Sequence, residues 1–269
     1  MDMHVHTYRC KHAEGTSEDM IKAGIQKGLP YIGINDHFPM RYLPDPVPVL
    51  EYAMELEEFP MHVQELEVLR KRHEGTIEVK IGAEVDYYEP ATVAIVESLE
   101  PFLDDFDYLY GSVHVVTDWT IDDENFMYKW AEVGIDNVYS MYYDALASMA
   151  RSRLFDVVGH FDLPKKFQNF PTIDVDDKID AVLDEVKVAG MVVEVNTAGL
   201  RKPVQEIYPS RHILEKILDK QIGITLGSDA HKPEDVGYAF DEAIAMIKAV
   251  GFDHVVTFTK RVKQEISLD

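Results

Sequence analysis

Apolar runs rich in β-branched and aromatic residues recur along the chain at 2–6, 31–35, 77–85, 107–114, 155–159, 191–196 and 222–227, with a shorter eighth candidate at 253–258. Between them the apolar spacing lengthens to that of helices. Thr16 is placed to cap a helix in which Met20, Ile21, Gly24 and Ile25 share a face before Gly28 ends it. Ile179, Val182, Leu183, Val186 and Ala189 repeat the pattern ahead of Gly190, and Ala243, Met246, Ile247 and Val250 do so before Gly251. Seven alternations of strand and helix, with no internal repeat and no linker, predict one α/β domain over 1–269. They favour a closed or nearly closed barrel of parallel strands over an open sheet.

The polar residues sharpen that choice. Asp2-Met3-His4-Val5-His6 sets two imidazoles two residues apart, on the same side of a strand, where both can face one ion. His12 follows in the next loop, then His37 in Asn35-Asp36-His37, Glu84, His114, His160, and Asp229 with His231. Apart from His12, each stands where an apolar run gives way to a loop. In a βα barrel the C-terminal ends of all the strands meet at one face, whereas an open sheet gathers only the strands beside its switch point. A lone histidine in such a place is most often a hydrogen-bonded structural residue, and that is the reading for His62, His73, His212 and His254. It fails for the larger set, because polar residues would have to recur independently at the same end of successive strands, in an interior that selects Val, Ile and Leu. The set reads as a multinuclear metal site. Cys10, the only cysteine, reads as a small loop residue rather than a ligand, and Asp36 and Asp162 as hydrogen-bond partners near ligand histidines.

Composition narrows the partners. Asp and Glu number 49 against 26 Lys and Arg, a formal net charge of -23, so long-range repulsion opposes nucleic acid and anionic membrane alike. A small anionic substrate then needs a local positive site. Lys165-Lys166 just after the fifth strand and Arg201-Lys202 just after the sixth fall at the same face as the histidines. Arg201 can grip two phosphate oxygens with its planar fork. One cysteine excludes an intramolecular disulfide, and no charged-then-apolar leader or bilayer-length apolar run is visible. A soluble, reducing compartment, the cytoplasm, is expected; the oligomeric state is unknown at this level.

In their order and spacing, Asp2-Met3-His4-Val5-His6-Thr7, Asp36-His37, Glu84, Val113-His114, Gly159-His160 and Gly227-Ser228-Asp229-Ala230-His231 resemble the PHP (polymerase and histidinol phosphatase) superfamily of metal-dependent phosphoesterases. The resemblance covers essentially the whole chain. The segments Cys10-Lys11-His12-Ala13-Glu14-Gly15-Thr16, Gly159-His160-Phe161-Asp162 and Glu194 to Pro203, followed by Tyr208-Pro209-Ser210, resemble its histidinol-phosphatase branch. That resemblance implies a distorted (βα)7 TIM-like barrel with three divalent metal ions, Zn, Mn or Fe, at the C-terminal ends of the strands. One ion would take His4, His6, Glu84 and Asp229, a second Glu84, His114 and His160, and a third His12, His37 and His231. Glu84 would be the bridge.

The implied reaction is hydrolysis of a phosphomonoester, foremost L-histidinol phosphate to L-histidinol and phosphate, a step of histidine biosynthesis. Arg201, with Lys165, Lys166 and Lys202, would meet the phosphoryl oxygens, Asp229 would act with the metals, and Asp162 is the candidate proton donor to the leaving alkoxide. The branch often carries an arginine after Gly-His-x-Asp, where this chain has Lys165 and Lys166. Arg41 and Tyr42, in the segment 38–49 with Pro39, Pro44, Pro46 and Pro48, are candidate substrate contacts, and Asp162 and Glu206 candidate partners of the substrate ammonium. Three other functions compete. A nuclease of this superfamily would need a basic groove. An amide- or lactone-cleaving metallohydrolase would share the ligands without needing Arg201 and the lysines, and a metal-dependent binding module would keep them without turnover.

Overall fold

The computed structural model describes residues 1–45, 47 and 49–268, so Pro46 and Pro48 of the proline-rich segment lie outside the described residues, as does Asp269. Seven parallel strands form one sheet: β1 (Asp2–Val5), β2 (Tyr31–Ile34), β3 (Glu78–Asp86), β4 (Tyr108–Ser112), β7 (Val157–Val158), β8 (Val192–Asn196) and β9 (Ile224–Gly227), hydrogen-bonded in that order. Their side chains are buried on both faces almost without exception, as parallel strands covered by helices outside and packed side chains inside require. No ladder joins β9 to β1. The gap is crossed beyond the end of β9, where Ala230 bridges to Val5, the His6 amide donates to the Ala230 carbonyl at 2.9 Å and the Ala230 amide to the His4 carbonyl at 3.3 Å. The barrel is therefore nearly closed, and the chain that completes it carries Asp229 and His231.

Tyr108 and Tyr110 help fill the barrel interior. The Tyr108 ring lies so close to β2 that a Cβ at Gly33 would stand 2.0 Å from its hydroxyl oxygen, which is why that central strand tolerates a glycine. Outside, the expected helices form. Thr16 and Asp19 make a reciprocal capping box at the start of Ser17–Gln26, and Asp176–Ala189 ends at Gly190 in the left-handed conformation. The third, Phe240–Val250, ends at Gly251. Phe59–Arg72, Thr92–Leu99, Ile135–Ser152 and Arg211–Asp219 are helices that the apolar pattern did not single out. A small hairpin, β5 (Val115–Val116) with β6 (Trp119–Thr120), rises from the end of β4.

The eighth strand candidate is real but does not join the barrel. Its residues become β10 (His254–Thr259), which turns at Lys260 and Arg261 and pairs antiparallel with β11 (Val262–Ser267). A two-residue turn with positive φ at both positions makes a tight hairpin, whereas a parallel strand would need a crossover of a dozen residues or so. The hairpin sits under the barrel at the N-terminal ends of the strands, where Phe258 stacks on Tyr108 and the Lys260 amide donates to Asp107 at 3.1 Å. Among the described residues no helix is long and apolar enough to cross a membrane.

Candidate metal centre

All the histidines and carboxylates expected as ligands meet at the C-terminal face of the barrel. They do so in three places where two imidazoles point their Nε2 atoms at each other: His4 and His6 at 3.0 Å, His114 and His160 at 3.1 Å, and His12 and His231 at 3.0 Å. Asp229 Oδ1 lies 3.4 Å from His6 Nε2 in the first group. Glu84 stands between groups, its Oε2 3.4 Å from His4 Nε2 and 3.3 Å from His6 Nε2, its Oε1 3.0 Å from His160 Nε2. His37 brings its ring to 5.6 Å from that of His12 and 4.8 Å from that of His6. Mutually close ligand atoms gather as His4, His6 and Asp229, as Glu84, His114 and His160, and as His6, His37 and His231, where the resemblance implies His12 with the last two; His6 also falls with Cys10 and Asp36, and His37 and His114 with Asp86.

The opposite ring nitrogens explain why the Nε2 atoms face inward. His4 Nδ1 donates to Glu194 at 2.6 Å, His6 Nδ1 lies 3.1 Å from Cys10 Sγ, and His114 Nδ1 donates to Asp86 at 2.6 Å. His12 Nδ1 donates to the Cys10 carbonyl at 2.7 Å and His231 Nδ1 to that of Asp229 at 3.0 Å. With Nδ1 carrying the hydrogen, the pairs His4–His6 and His12–His231 each present two lone pairs at 3.0 Å, an arrangement that is repulsive unless a cation lies between them; in the third pair His114 is set the same way, while the buried Nδ1 of His160 has no hydrogen-bond partner among the described residues and its Nε2 also lies 3.0 Å from Glu84. The donor set, neutral nitrogens with carboxylate oxygens, fits a divalent transition metal. Electrostatics divide the set: burial opposes charge on His4, His37 and His114, yet Glu194, Glu84 and Asp86 respectively outweigh it and raise all three, His114 to about 10, so the carboxylates call there for a positive charge that a metal ion can supply in place of a proton. Burial, reinforced by His231, lowers His6 to about 3, and burial with His37 and His231 lowers His12 to about 4, which keeps both as neutral imidazoles. Burial alone would raise the Glu84 carboxyl, but His37 and His4 outweigh it and hold Glu84 well below the usual carboxylate range.

A cavity of about 910 Å³ opens above these groups. Arg201 forms part of its wall. Its Nη2 donates to the carbonyls of Ser228 at 2.8 Å and Asp229 at 3.1 Å, its guanidinium lies 5.1 Å over the Tyr238 ring, and its buried Nη1 has no partner among the described residues. Lys166 reaches the same cavity, held by the Asp122 carbonyl at 2.6 Å and carboxylate at 3.1 Å. Lys202 also lines it.

The PHP domain family profile matches residues 2–198, nearly three quarters of the chain. The chain belongs to the PHP family. A protein named probable histidinol-phosphatase from Deinococcus radiodurans is 36% identical over 266 residues, covering 98% of both chains. The histidinol-phosphatase of Bacillus subtilis is 30% identical over 261 residues, 89% of this chain and 96% of that one. Among solved structures, histidinol phosphate phosphatase from Lactococcus lactis, crystallised with Zn, L-histidinol and phosphate, superposes with a TM-score of 0.82 at 20% identity and 98% coverage of each chain, a likeness of fold.

Four residues expected at the PHP site stand elsewhere. Arg41 turns outward and pairs with Glu55, its Nε 2.6 Å away, because the segment after β2 lays its apolar residues Met40 and Leu43 against the cavity wall instead. Lys165 is buried and spent on Asp162 at 2.9 Å, Glu206 at 2.6 Å and the Ile207 carbonyl at 2.9 Å. Asp162 Oδ2, besides that pair, accepts from the Ser210 amide at 2.9 Å and so fastens the loop after β8, while its buried Oδ1 has no hydrogen-bond partner among the described residues. Glu206 is half exposed on the outer side of the same pair. Tyr42 does approach the site, its hydroxyl donating to the Asp86 carbonyl at 3.0 Å. Asp36 reaches the ligands through Cys10, which lies 2.8 Å from Asp36 Oδ1 and 3.1 Å from His6.

Two buried carboxylates that accept from candidate ligand rings had no role assigned from sequence, Asp86 and Glu194. The signal existed. Glu84-Val85-Asp86 is a second i, i+2 pair on a strand, and Glu194 with Asn196 a third.

Proposed function

We propose that this PHP protein is a metal-dependent phosphomonoesterase acting on L-histidinol phosphate, with residues 1–269 working as one catalytic domain. The observation that carries the reading is the unpartnered, buried Nη1 of Arg201 in the wall of a cavity lined by the facing pairs His114–His160 and His12–His231, with the fully buried pair His4–His6 joined to them through Glu84. The names of the Deinococcus and Bacillus relatives, both matched over most of their length, support the substrate. His4, His6, Glu84 and Asp229 would hold one ion, Glu84, His114 and His160 a second, and His12, His37 and His231 a third. Bound divalent ions supply activation of water and neutralisation of phosphoryl oxygens.

The chain does the rest. Arg201, anchored by two backbone carbonyls and stacked on Tyr238, offers a fixed guanidinium edge to the phosphoryl group and stabilises charge as it develops. Lys166 takes the place expected of an arginine after Gly-His-x-Asp, and Lys202 adds a third cation on that side. On the opposite side Met40, Leu43 and Val115 form an apolar wall, with Glu51, Asp123 and Glu124 nearby. That pairing suits a leaving group with an apolar body and cationic ends, and it gives these acids the ammonium-binding part first expected of Asp162 and Glu206. Apolar walls also exclude bulk water, which strengthens the charge interactions inside.

Steady-state kinetics on L-histidinol phosphate and glycerol phosphate, at equal metal loading, test the assignment. A higher kcat/KM for histidinol phosphate is expected. Equal values, or preference for an unrelated monoester, would overturn the substrate and leave the phosphomonoesterase standing; release of phosphate from none would overturn both.

A further inference from the structure

Asp86 is 3% exposed and lies at the end of β3, two residues beyond Glu84 on the same face. Its Oδ2 accepts from His37 Nδ1 at 3.1 Å and its Oδ1 from His114 Nδ1 at 2.6 Å. The two rings belong to different groups of the centre: His114 turns its Nε2 to His160, and His37 stacks on His6 and approaches His12. His4, His6, His12 and His231 each have an Nδ1 partner atom of their own and His160 Nδ1 has none, so among the described residues Asp86 is the one side chain hydrogen-bonded to the Nδ1 of two candidate ligand rings. Its backbone is fixed as well, by pairing of β3 with β4 and by the Tyr42 hydroxyl on its carbonyl.

We propose that Asp86 is a positioning residue that orients a ligand of two different metal positions through one carboxylate, and thereby makes the filling of those positions interdependent. The inference rests on the metal reading given above. A carboxylate is planar and rigid, so a rotation that follows one ring displaces the oxygen that serves the other. Accepting from Nδ1 fixes the tautomer that leaves Nε2 as the free donor atom and raises its basicity. His37 Nδ1 also stands 3.3 Å from Glu84, but Glu84 faces His4, His6 and His160 too, which leaves Asp86 as the closer and less divided partner. Asp86 is not itself a ligand in this assignment, since both of its oxygens are taken up by ring N–H groups on the side of each ring away from Nε2.

The test uses the full chain. Zinc content after reconstitution and stepwise zinc affinities by chelator competition are measured for the unmodified protein, Asp86→Asn, Asp86→Ala and Glu194→Gln, with thermal unfolding to confirm folding. Asp86→Ala is expected to weaken two of the zinc affinities by about 10- to 100-fold each and leave the remaining one in place. Asp86→Asn, which keeps one acceptor, should weaken fewer, and Glu194→Gln should act on the His4 position instead. Independently of any variant, long-range ¹H–¹⁵N spectra of the zinc-loaded protein should place the ring hydrogen of both His37 and His114 on Nδ1. An Nε2 hydrogen on either ring, unchanged zinc affinities in Asp86→Ala, or a loss confined to one metal overturns the proposal. If the unmodified protein takes up no stoichiometric zinc, the metal reading itself fails, and this inference with it.

Discussion

The two ends of the barrel both hold buried charge, yet only one of them leaves charge unmet. At the N-terminal end, Asp107 accepts from the amides of Ile81 at 2.9 Å and Lys260 at 3.1 Å and from Arg70, while Asp156 takes the Arg261 guanidinium at 2.8 Å and the Leu109 amide at 2.9 Å. Lys80 is 1% exposed but is held by Glu78 and Thr259. Each charge there is matched by the hairpin β10–β11 or by a neighbouring element. At the C-terminal end, imidazole Nε2 atoms face each other in three pairs with no donor between them, and Arg201 keeps an unpartnered donor beside a cavity. Burial of ionisable groups is therefore a poor marker of a site in this protein. Single buried polar atoms without a partner among the described residues occur elsewhere too, at His73 and Thr225; what marks the site is that imidazoles, carboxylates and an unmet guanidinium donor gather beside one cavity, where an unmet buried polar group is costly unless something else supplies its partner.

That contrast can be broken from either end, and the largest effect belongs to Glu84. Glu84→Ala should lower kcat/KM by roughly a thousandfold or more, as expected for removing a residue shared by two ions, and should reduce the metal content by two rather than one. Activity assays with elemental analysis of the same preparation check both parts. Arg201→Ala comes next: loss of one charge-assisted phosphoryl contact should cost about 2 to 4 kcal/mol of transition-state stabilisation with the metals retained. Full activity across substrate concentrations would remove Arg201 from the mechanism.

At the base the prediction changes kind. Arg261→Ala strips Asp156 of its cation and opens the hairpin's anchor, which should cost about 1 to 3 kcal/mol of stability in a denaturant titration while the activity of the folded fraction stays the same. A large fall in kcat without a fall in stability would mean that the two ends are not separable. The smallest effect is expected at Arg41, whose solvent-screened pair with Glu55 should leave the unfolding midpoint and the catalytic constants of Arg41→Ala essentially unchanged. A raised KM in Arg41→Ala would return it to the substrate path.

The candidate ligands were legible in the sequence because, His12 apart, they sit at the ends of short apolar strands, where a period of two fixes which residues share a face, and because a barrel brings every strand end to one place. His4 with His6 and Asp229 with His231 needed only that. What escaped was decided by packing. Lys165 and Lys166 are adjacent in a short 3-10 turn, Leu163–Phe167, and only the folded turn sends the first into the wall toward Asp162 and the second to the cavity. Thr92–Leu99 hid because Val93 and Val96 lie exposed on a short helix, so its apolar residues do not gather on one face. The final strand was recognised but not placed, since an apolar run of six residues carries no sign of whether its neighbour runs parallel or antiparallel; the two-residue turn at Lys260 and Arg261 decides that.

The central claim is that the unmet groups of the C-terminal face are met by metal ions, and the most direct measurement is the metal content of the unmodified protein. Chelator-free protein, reconstituted with zinc, manganese or iron and freed of excess, is weighed against its metal by elemental analysis. Three ions per chain are expected, one for each pair of facing imidazoles. One ion or none under metal-replete conditions, with phosphatase activity intact, would contradict the account.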